Sequence, residues 1–256
     1  MANPDQYKKL TLHTVGARFA VYTAYIKLEH SSGGLFVKKL VLCASLFLGI
    51  AGMTIAQDAP AAVEPAKEAA VQTEELKIGT TVENLQAALT GELSAKERYL
   101  AFAAKADEEG YLQAGRLFRA TARSEEIHAG RLAKAIEKLG GTPVMDAQKP
   151  EVATTRENLE AALKGESYEN TTMYPAFVKK AEEEKAEAAL YPFKGAMAAE
   201  EGHARFYSEA LKDLEATKQL GAEYLVCLTC GYTTTDAAIQ KCPVCEAPRE
   251  KFEAVK

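Results

Sequence analysis

Two histidines in this chain each follow a glutamate by three positions: Glu125 with His128 in SEEIHA, and Glu200 with His203 in AEEGHA. On a helix, side chains at i and i+3 point to one side, so each pair can offer a carboxylate oxygen and an imidazole nitrogen to one cation. The bland alternative is an exposed ion pair on a charged helix. Against it, these are the only histidines after residue 56, of four in the whole chain. Glu92 and Glu166 occupy equivalent places in two otherwise largely apolar stretches, NLQAALTGE (84–92) and NLEAALKGE (158–166). Four carboxylates and two imidazoles from four helices form the ligand set of a di-iron or di-manganese carboxylate bundle. Burying such charges without metal is costly, whereas two divalent cations neutralise them. Glu169, which aligns with Ala95, adds a seventh oxygen donor that lets coordination change with oxidation state. Glu126 and Glu201 are expected off-axis and solvated, and Glu97 on the surface. Tyr99 and Tyr174 lie about two turns beyond Glu92 and Glu166, where they face the same interior or serve as ordinary core.

A second constellation closes the chain. Cys227-x-x-Cys230 and Cys242-x-x-Cys245 are separated by 11 residues, the spacing of two knuckles that share one tetrahedral thiolate site for zinc or iron. Two disulfides are the rival reading in an oxidising compartment, but knuckles followed by Gly or containing Pro fit a metal better. About 30 residues is too few for an independent core, so the metal must supply much of this module's stability.

These residues need helices to hold them. NLQAALTGE recurs as NLEAALKGE at an offset of 74, and SEEIHA recurs as AEEGHA at an offset of 75. Two motifs repeating in the same order at nearly one spacing indicate a duplicated helical hairpin. Apolar periodicity and breakers predict helices near 80–106, 111–139, 154–184 and 188–217. Gly140-Gly141-Thr142-Pro143 ends the second and begins a longer crossover, which suits an antiparallel four-helix bundle. Pro175 and Pro192 fall inside predicted helices and are expected to kink or shorten them.

Composition agrees: of 256 residues, 47% are apolar and 26% charged, with no Trp, a mainly α, globular profile. Residues 1–56 carry a net +4, which leaves −9 on the remainder. An acidic body without a basic stripe gives no footprint for nucleic acid. Within the basic part, Lys38 and Lys39 precede an uncharged apolar run, Leu40 to Ala56, which contains Cys43. This is the layout of a secretory signal over 37–56. Export, to a periplasm for example, is the expectation; an uncleaved membrane anchor or a cytoplasmic protein are the alternatives, and the absence of an Arg-Arg pair argues against a twin-arginine signal. One reading of the 36 residues ahead of the run places the native translation start near Val37. Residues 57–79, rich in Ala, Pro and Glu, read as a tether.

The stretches GELSAKERY, SEEIHA, GESYENTTMYP, AEEGHA and CLTCGY…CPVC together resemble the rubrerythrin family, over about Thr80 to Lys256 and not over 1–79. The resemblance implies a ferritin-like di-iron domain over 80–217 and a rubredoxin-like domain over 223–256. It implies that Glu92, Glu125, His128, Glu166, Glu169, Glu200 and His203 bind two non-haem iron ions, that Cys227, Cys230, Cys242 and Cys245 hold one iron, and that Tyr99 and Tyr174 stand beside the metals. The implied activity is reduction of hydrogen peroxide to water, with electrons passed from the tail iron to the di-iron centre and supplied by an external donor. A head-to-tail homodimer or a higher homo-oligomer is also implied, since Lys218 to Ala222 is a short linker and tail and bundle of one chain need not lie close. A ferritin-like iron oxidase or iron-handling protein, and a redox sensor with a structural zinc tail, are the rival functions.

Overall fold

The computed structural model describes residues 76–256 together with two short strands, β1 (Tyr7–Leu10) and β2 (Ala24–Lys27), which pair antiparallel with Tyr7 opposite Lys27 and Leu10 opposite Ala24. The signal-like segment 37–56, Cys43 and the tether up to residue 75 lie outside the described residues. Residues 1–68 and 69–256 form separate compact units, and the second carries the chemistry.

That unit begins with α1 (Thr81–Glu108) and α2 (Leu112–Lys138), followed after the crossover by α3 (Thr155–Tyr168), a π turn (Glu169–Met173), α4 (Tyr174–Glu183) and α5 (Glu187–Lys212). Each repeat starts with the same device. Thr80 accepts from the Glu83 amide while Glu83 returns to the Thr80 amide, and Thr154 does the same with Glu157. Such capping boxes satisfy helix-end amides that otherwise have no partner. The repeated asparagines clamp the incoming chain: Asn84 bonds both backbone groups of Gly79, and Asn158 both those of Ala153. One repeat also caps the other. Glu184, at the end of α4, accepts from the Thr81 amide at 2.8 Å, and Glu109, just after α1, accepts from the Thr155 amide at 2.9 Å.

The third predicted helix is not one regular helix. Where Pro175 was expected to kink it, the π turn intervenes, and the Tyr174 amide reaches back five residues to the Glu169 carbonyl. Pro175 has no N–H to donate, so the wider turn gives up less than a regular helix would there. A π turn is a one-residue insertion into an α-helix, and the repeat offset records it. Glu92 to Glu166 is 74, but Tyr99 to Tyr174 is already 75, so the added residue lies between Glu166 and Tyr174. The last helix runs through Pro192 and stops at Lys212, short of the predicted 217, because Asp213 turns the chain and accepts from the Ala216 amide at 3.1 Å.

Inside the bundle, apolar side chains form two layers. One gathers Tyr99, Phe102, Phe118 and Tyr207; the other gathers Leu85, Leu89, Leu132, Ile136, Tyr174, Phe177 and Phe193. Along every helix the glutamate motifs fall at the boundary between the two.

The tail is a three-stranded antiparallel sheet with β3 (Tyr224–Cys227) between β4 (Thr233–Thr234) and β5 (Phe252–Val255). Strand alternation divides β3 between two cores. Tyr224 and Val226 join the aromatic layer of the bundle, while Leu225 and Cys227 face Cys230, Cys242, Ala247 and Phe252. Val226 is fully buried, which contributes roughly 1.5–3 kcal/mol toward seating the tail on its own bundle. Tail and bundle of one chain are thus in contact. Among the described residues no helix is long and apolar enough to cross a membrane.

Candidate metal centre

At the boundary between the apolar layers, Glu92, Glu125, His128, Glu166, Glu200 and His203 are all buried. They converge as two overlapping sets, Glu92, Glu125, His128 and Glu200 in one and Glu125, Glu166, Glu200 and His203 in the other, with ligand atoms within 4.8 Å of one another in each. Glu125 and Glu200 belong to both. Nδ1 of His128 lies 2.9 Å from Glu125, 3.0 Å from Glu200 and 3.7 Å from Glu92. Nδ1 of His203 lies 2.7 Å from Glu200, 3.2 Å from Glu166 and 3.4 Å from Glu125. The pseudo-twofold of the sequence repeat is thus a pseudo-twofold of the site.

The residues fit a pair of cations. Oε2 of Glu92, Oε1 of Glu125 and both carboxylate oxygens of Glu200 are buried without a well-formed hydrogen bond, with the two Nδ1 atoms as their polar neighbours, a condition that is costly unless a cation completes it. The tautomers agree with this. Nε2 of His128 faces the backbone carbonyl of Cys230 at 3.1 Å, and Nε2 of His203 faces Thr233 Oγ1 at 3.2 Å. The carbonyl can only accept, so the His128 hydrogen sits on Nε2 and a lone pair is left on Nδ1, inside the cluster. Without cations, protons hold the group together. Burial and the charge of Glu125 push Glu92 up to about 7 and Glu200 well above the carboxylate range. Burial alone would lower both imidazoles, yet the surrounding carboxylates, Glu200 foremost at His128 and Glu125 foremost at His203, raise them well above their usual range.

Tyr99 donates to Glu166 and Tyr174 donates to Glu92, each hydroxyl crossing to the other repeat. Their rings meanwhile pack in the two apolar layers, Tyr99 against Phe118 at 6.1 Å and Tyr174 against Phe193 at 5.9 Å, so core packing and contact with the site are one placement. Burial and the adjacent carboxylate raise both phenols, which therefore stay protonated donors. Glu169 is outside both converging sets. It sits half-buried on the π turn, its carboxyl raised by burial and then by Glu92 and Glu166. Glu126 is half-exposed and paired with Arg123 and Lys96, while Glu97 and Glu201 are exposed. A cavity of about 640 Å³ lies beside Ser94, Arg98 and Lys149 under the crossover, and none of the cluster residues lines it.

In the tail, the four cysteines are unpaired, with Sγ atoms 3.7 Å apart for Cys227 and Cys245 and 3.5 Å apart for Cys230 and Cys242. A tetrahedral site with metal–sulfur bonds of ~2.3 Å has edges of ~3.8 Å, so the cage is already spaced for an ion. Two residues that sequence reasoning passed over hold it against the bundle: Ser124 donates to the Gly231 carbonyl at 2.7 Å and Arg131 to the Thr229 carbonyl at 2.7 Å. Their acceptors are backbone groups, which leave no mark in a sequence.

Comparison with known proteins follows the same division of the chain. The rubrerythrin family model matches residues 83–211, and the model described as the rubredoxin-like domain of rubrerythrin matches residues 226–253. Nigerythrin of Nitratidesulfovibrio vulgaris is 39% identical over 178 residues, covering 69% of this chain and 87% of its own. The rubrerythrin of Porphyromonas gingivalis is 35% identical over 190 residues, covering 71% and 92%. A nigerythrin structure described as fully reduced and all ferrous superposes with a TM-score of 0.67 at 37% identity, over 76% of this chain and 98% of that one. With the residues of a di-iron carboxylate site in a ferritin-like bundle and a four-cysteine rubredoxin-like site beside it, this chain belongs to the rubrerythrin family.

Proposed function

We propose that the protein is a non-haem di-iron peroxidase that reduces hydrogen peroxide to two waters, consuming two electrons and two protons. The observation that carries this is His128, whose Nδ1 lies among three carboxylates while its Nε2 meets the Cys230 carbonyl. Iron bound at the carboxylate cluster would supply Lewis acidity and the electrons for O–O cleavage, with iron in the thiolate cage as a one-electron reserve.

The chain's own residues make that division of labour workable. Glu92, Glu125 and Glu200 with His128, and Glu125, Glu166 and Glu200 with His203, would hold the pair, and Glu169 on its π turn is the spare carboxylate. Tyr99 and Tyr174 fix the orientation of Glu166 and Glu92 by donating to them. The two apolar layers exclude water around the cluster. From Cys230 Sγ to Nδ1 of His128 the route crosses covalent bonds and one hydrogen bond. An iron oxidase has no need for such a route, which is why the peroxidase reading is favoured. Two electrons per peroxide must come from an external donor.

The test uses the full chain loaded with iron. After anaerobic reduction, addition of peroxide should restore the ferric-thiolate colour of the tail rapidly. A coloured protein that does not recover overturns the peroxidase reading, and a colourless one points to a zinc tail. Export remains part of the proposal on the strength of residues 37–56. N-terminal sequencing of the natively produced protein should find a mature end near Gln57, and an intact Met1 overturns it.

A further inference from the structure

Three consecutive carbonyls of the first cysteine knuckle are met by donors from one stripe of α2. Ser124 reaches Gly231, His128 reaches Cys230 and Arg131 reaches Thr229. Positions i, i+4 and i+7 share a helix face, and their partners run in the opposite order, so the knuckle lies antiparallel along the helix. Ser124 and His128 are neutral or belong to the carboxylate cluster. Arg131 is different in kind.

Its guanidinium carbon lies 4.1 Å from the centroid of the Tyr191 ring, its Nη1 donates to Thr229 at 2.7 Å, and its Nη2 is buried with no hydrogen-bond partner. It forms no ion pair among the described residues. Arg131 as a whole is only half-buried, but its buried Nη2 and the bond to Thr229 hold the charge against the knuckle, where it acts on nearby charge. Thr229 stands between Cys227 and Cys230 in the knuckle, so this bond ties the cation to the backbone of the thiolate cage. The peptide unit that offers the Thr229 carbonyl to Arg131 also carries the Cys230 N–H, which turns back toward Cys227, with its oxygen 3.3 Å away. Arg131 therefore polarises a peptide inside the knuckle, in the cooperative sense expected of linked hydrogen bonds.

We infer that Arg131 is a positioning residue for the cysteine cage that raises the reduction potential of the iron held there. This rests on the reading of the tail as an iron site. Four thiolates around trivalent iron carry a net −1, and around divalent iron −2, so one-electron reduction adds negative charge that a fixed cation stabilises. Removing the cation must therefore favour the oxidised form.

The experiment is an anaerobic titration of the full iron-loaded chain with dithionite and mediators, read by the ferric-thiolate absorbance. Arg131→Gln should lower the reduced-to-oxidised ratio at a fixed potential about tenfold, which is about 59 mV for a one-electron couple. Arg131→Lys, which keeps the charge, should fall much less. Glu253→Gln, which breaks the exposed pair with Arg123 that also latches the tail, should titrate with the wild type. Tyr191→Leu wets the guanidinium without removing it and should shift in the direction of Arg131→Gln, so the inference stays testable if the glutamine variant does not fold. If Arg131→Gln or Tyr191→Leu titrates with the wild type, or if lysine and glutamine fall equally, the inference is overturned. A colourless wild-type protein overturns the iron-tail reading along with it, whereas a coloured one leaves that reading standing.

Discussion

Nε2 of His128 lies 3.1 Å from the backbone carbonyl of Cys230, so a member of the carboxylate cluster touches the backbone of a member of the thiolate cage. What permits this approach is the next residue. Gly231 has φ +85° and lies so close to His128 that a Cβ there would collide with the imidazole. Only glycine adopts that backbone freely and leaves that space.

Gly231→Ala should therefore lift the knuckle from α2 while leaving the four sulfurs able to hold their ion. The expected outcome is an unchanged ferric-thiolate spectrum, with recovery after peroxide slowed at least tenfold in anaerobic stopped-flow. Recovery at the wild-type rate would show that the His128 to Cys230 contact is not the route.

Metal content should divide the cluster by sharing. Glu125 and Glu200 serve both converging sets, whereas Glu92 and Glu166 serve one each. Elemental analysis is expected to give about three irons per wild-type chain, about two in Glu92→Ala, and about one in Glu125→Ala and Glu200→Ala, the remaining ion being that of the tail. If Glu200→Ala kept three, the cluster would not be the binding site.

Much of this was legible because its chemistry uses rare residues. Two histidines placed three after two glutamates, in stretches that repeat, pointed to one site on four helices. The slip from 74 to 75 was also visible, but its meaning required seeing Glu169–Met173 wind as a π turn. Pro175 suggested a kink and instead marks where that turn ends. Arg131, Ser124 and the capping carboxylates Glu109 and Glu184 were illegible for a common reason: each acts on a backbone group, so nothing at the other end of the bond varies with sequence. The seating of the tail was hidden likewise, since alternation in YLVC predicts a strand without saying which core each face joins.

Glu184 gives the fold a pH dependence with a fixed sign. Its carboxylate accepts from the Thr81 amide at the start of α1 and pairs with Lys180, and these bonds, the amide foremost, hold it at about 2 against its ordinary 4.5. A depressed folded value means that the stabilisation is fully present above 4.5 and is lost as pH falls toward 2. Glu184→Gln should melt below the wild type at pH 7, and the gap should close between pH 4.5 and 2, followed by circular dichroism. A gap independent of pH would assign the loss to packing and not to charge. Glu109→Gln, the counterpart at α3, should show the same sign.

The two hairpin turns provide the last prediction. Gly110 follows α1 at φ +82°, and Lys185, 75 residues later, follows α4 at φ +56°. Both turns close alike, with Tyr111 N bonded to Ala106 O at 2.8 Å and Ala186 N bonded to Ala181 O at 2.9 Å, the six-to-one bond of a Schellman end. In the left-handed region a side chain costs about 1–2 kcal/mol that glycine does not. Lys185→Gly should therefore stabilise the bundle by about 1 kcal/mol, offset in part by the greater freedom of glycine in the unfolded chain. For a chain of this size that is a rise in Tm of about 2–4 °C. Gly110→Lys should lower Tm by a similar amount. Thermal melts of both variants at fixed metal loading check the pair, and a Lys185→Gly protein that melts at or below the wild type would mean that the lysine side chain makes a contact worth more than the backbone strain.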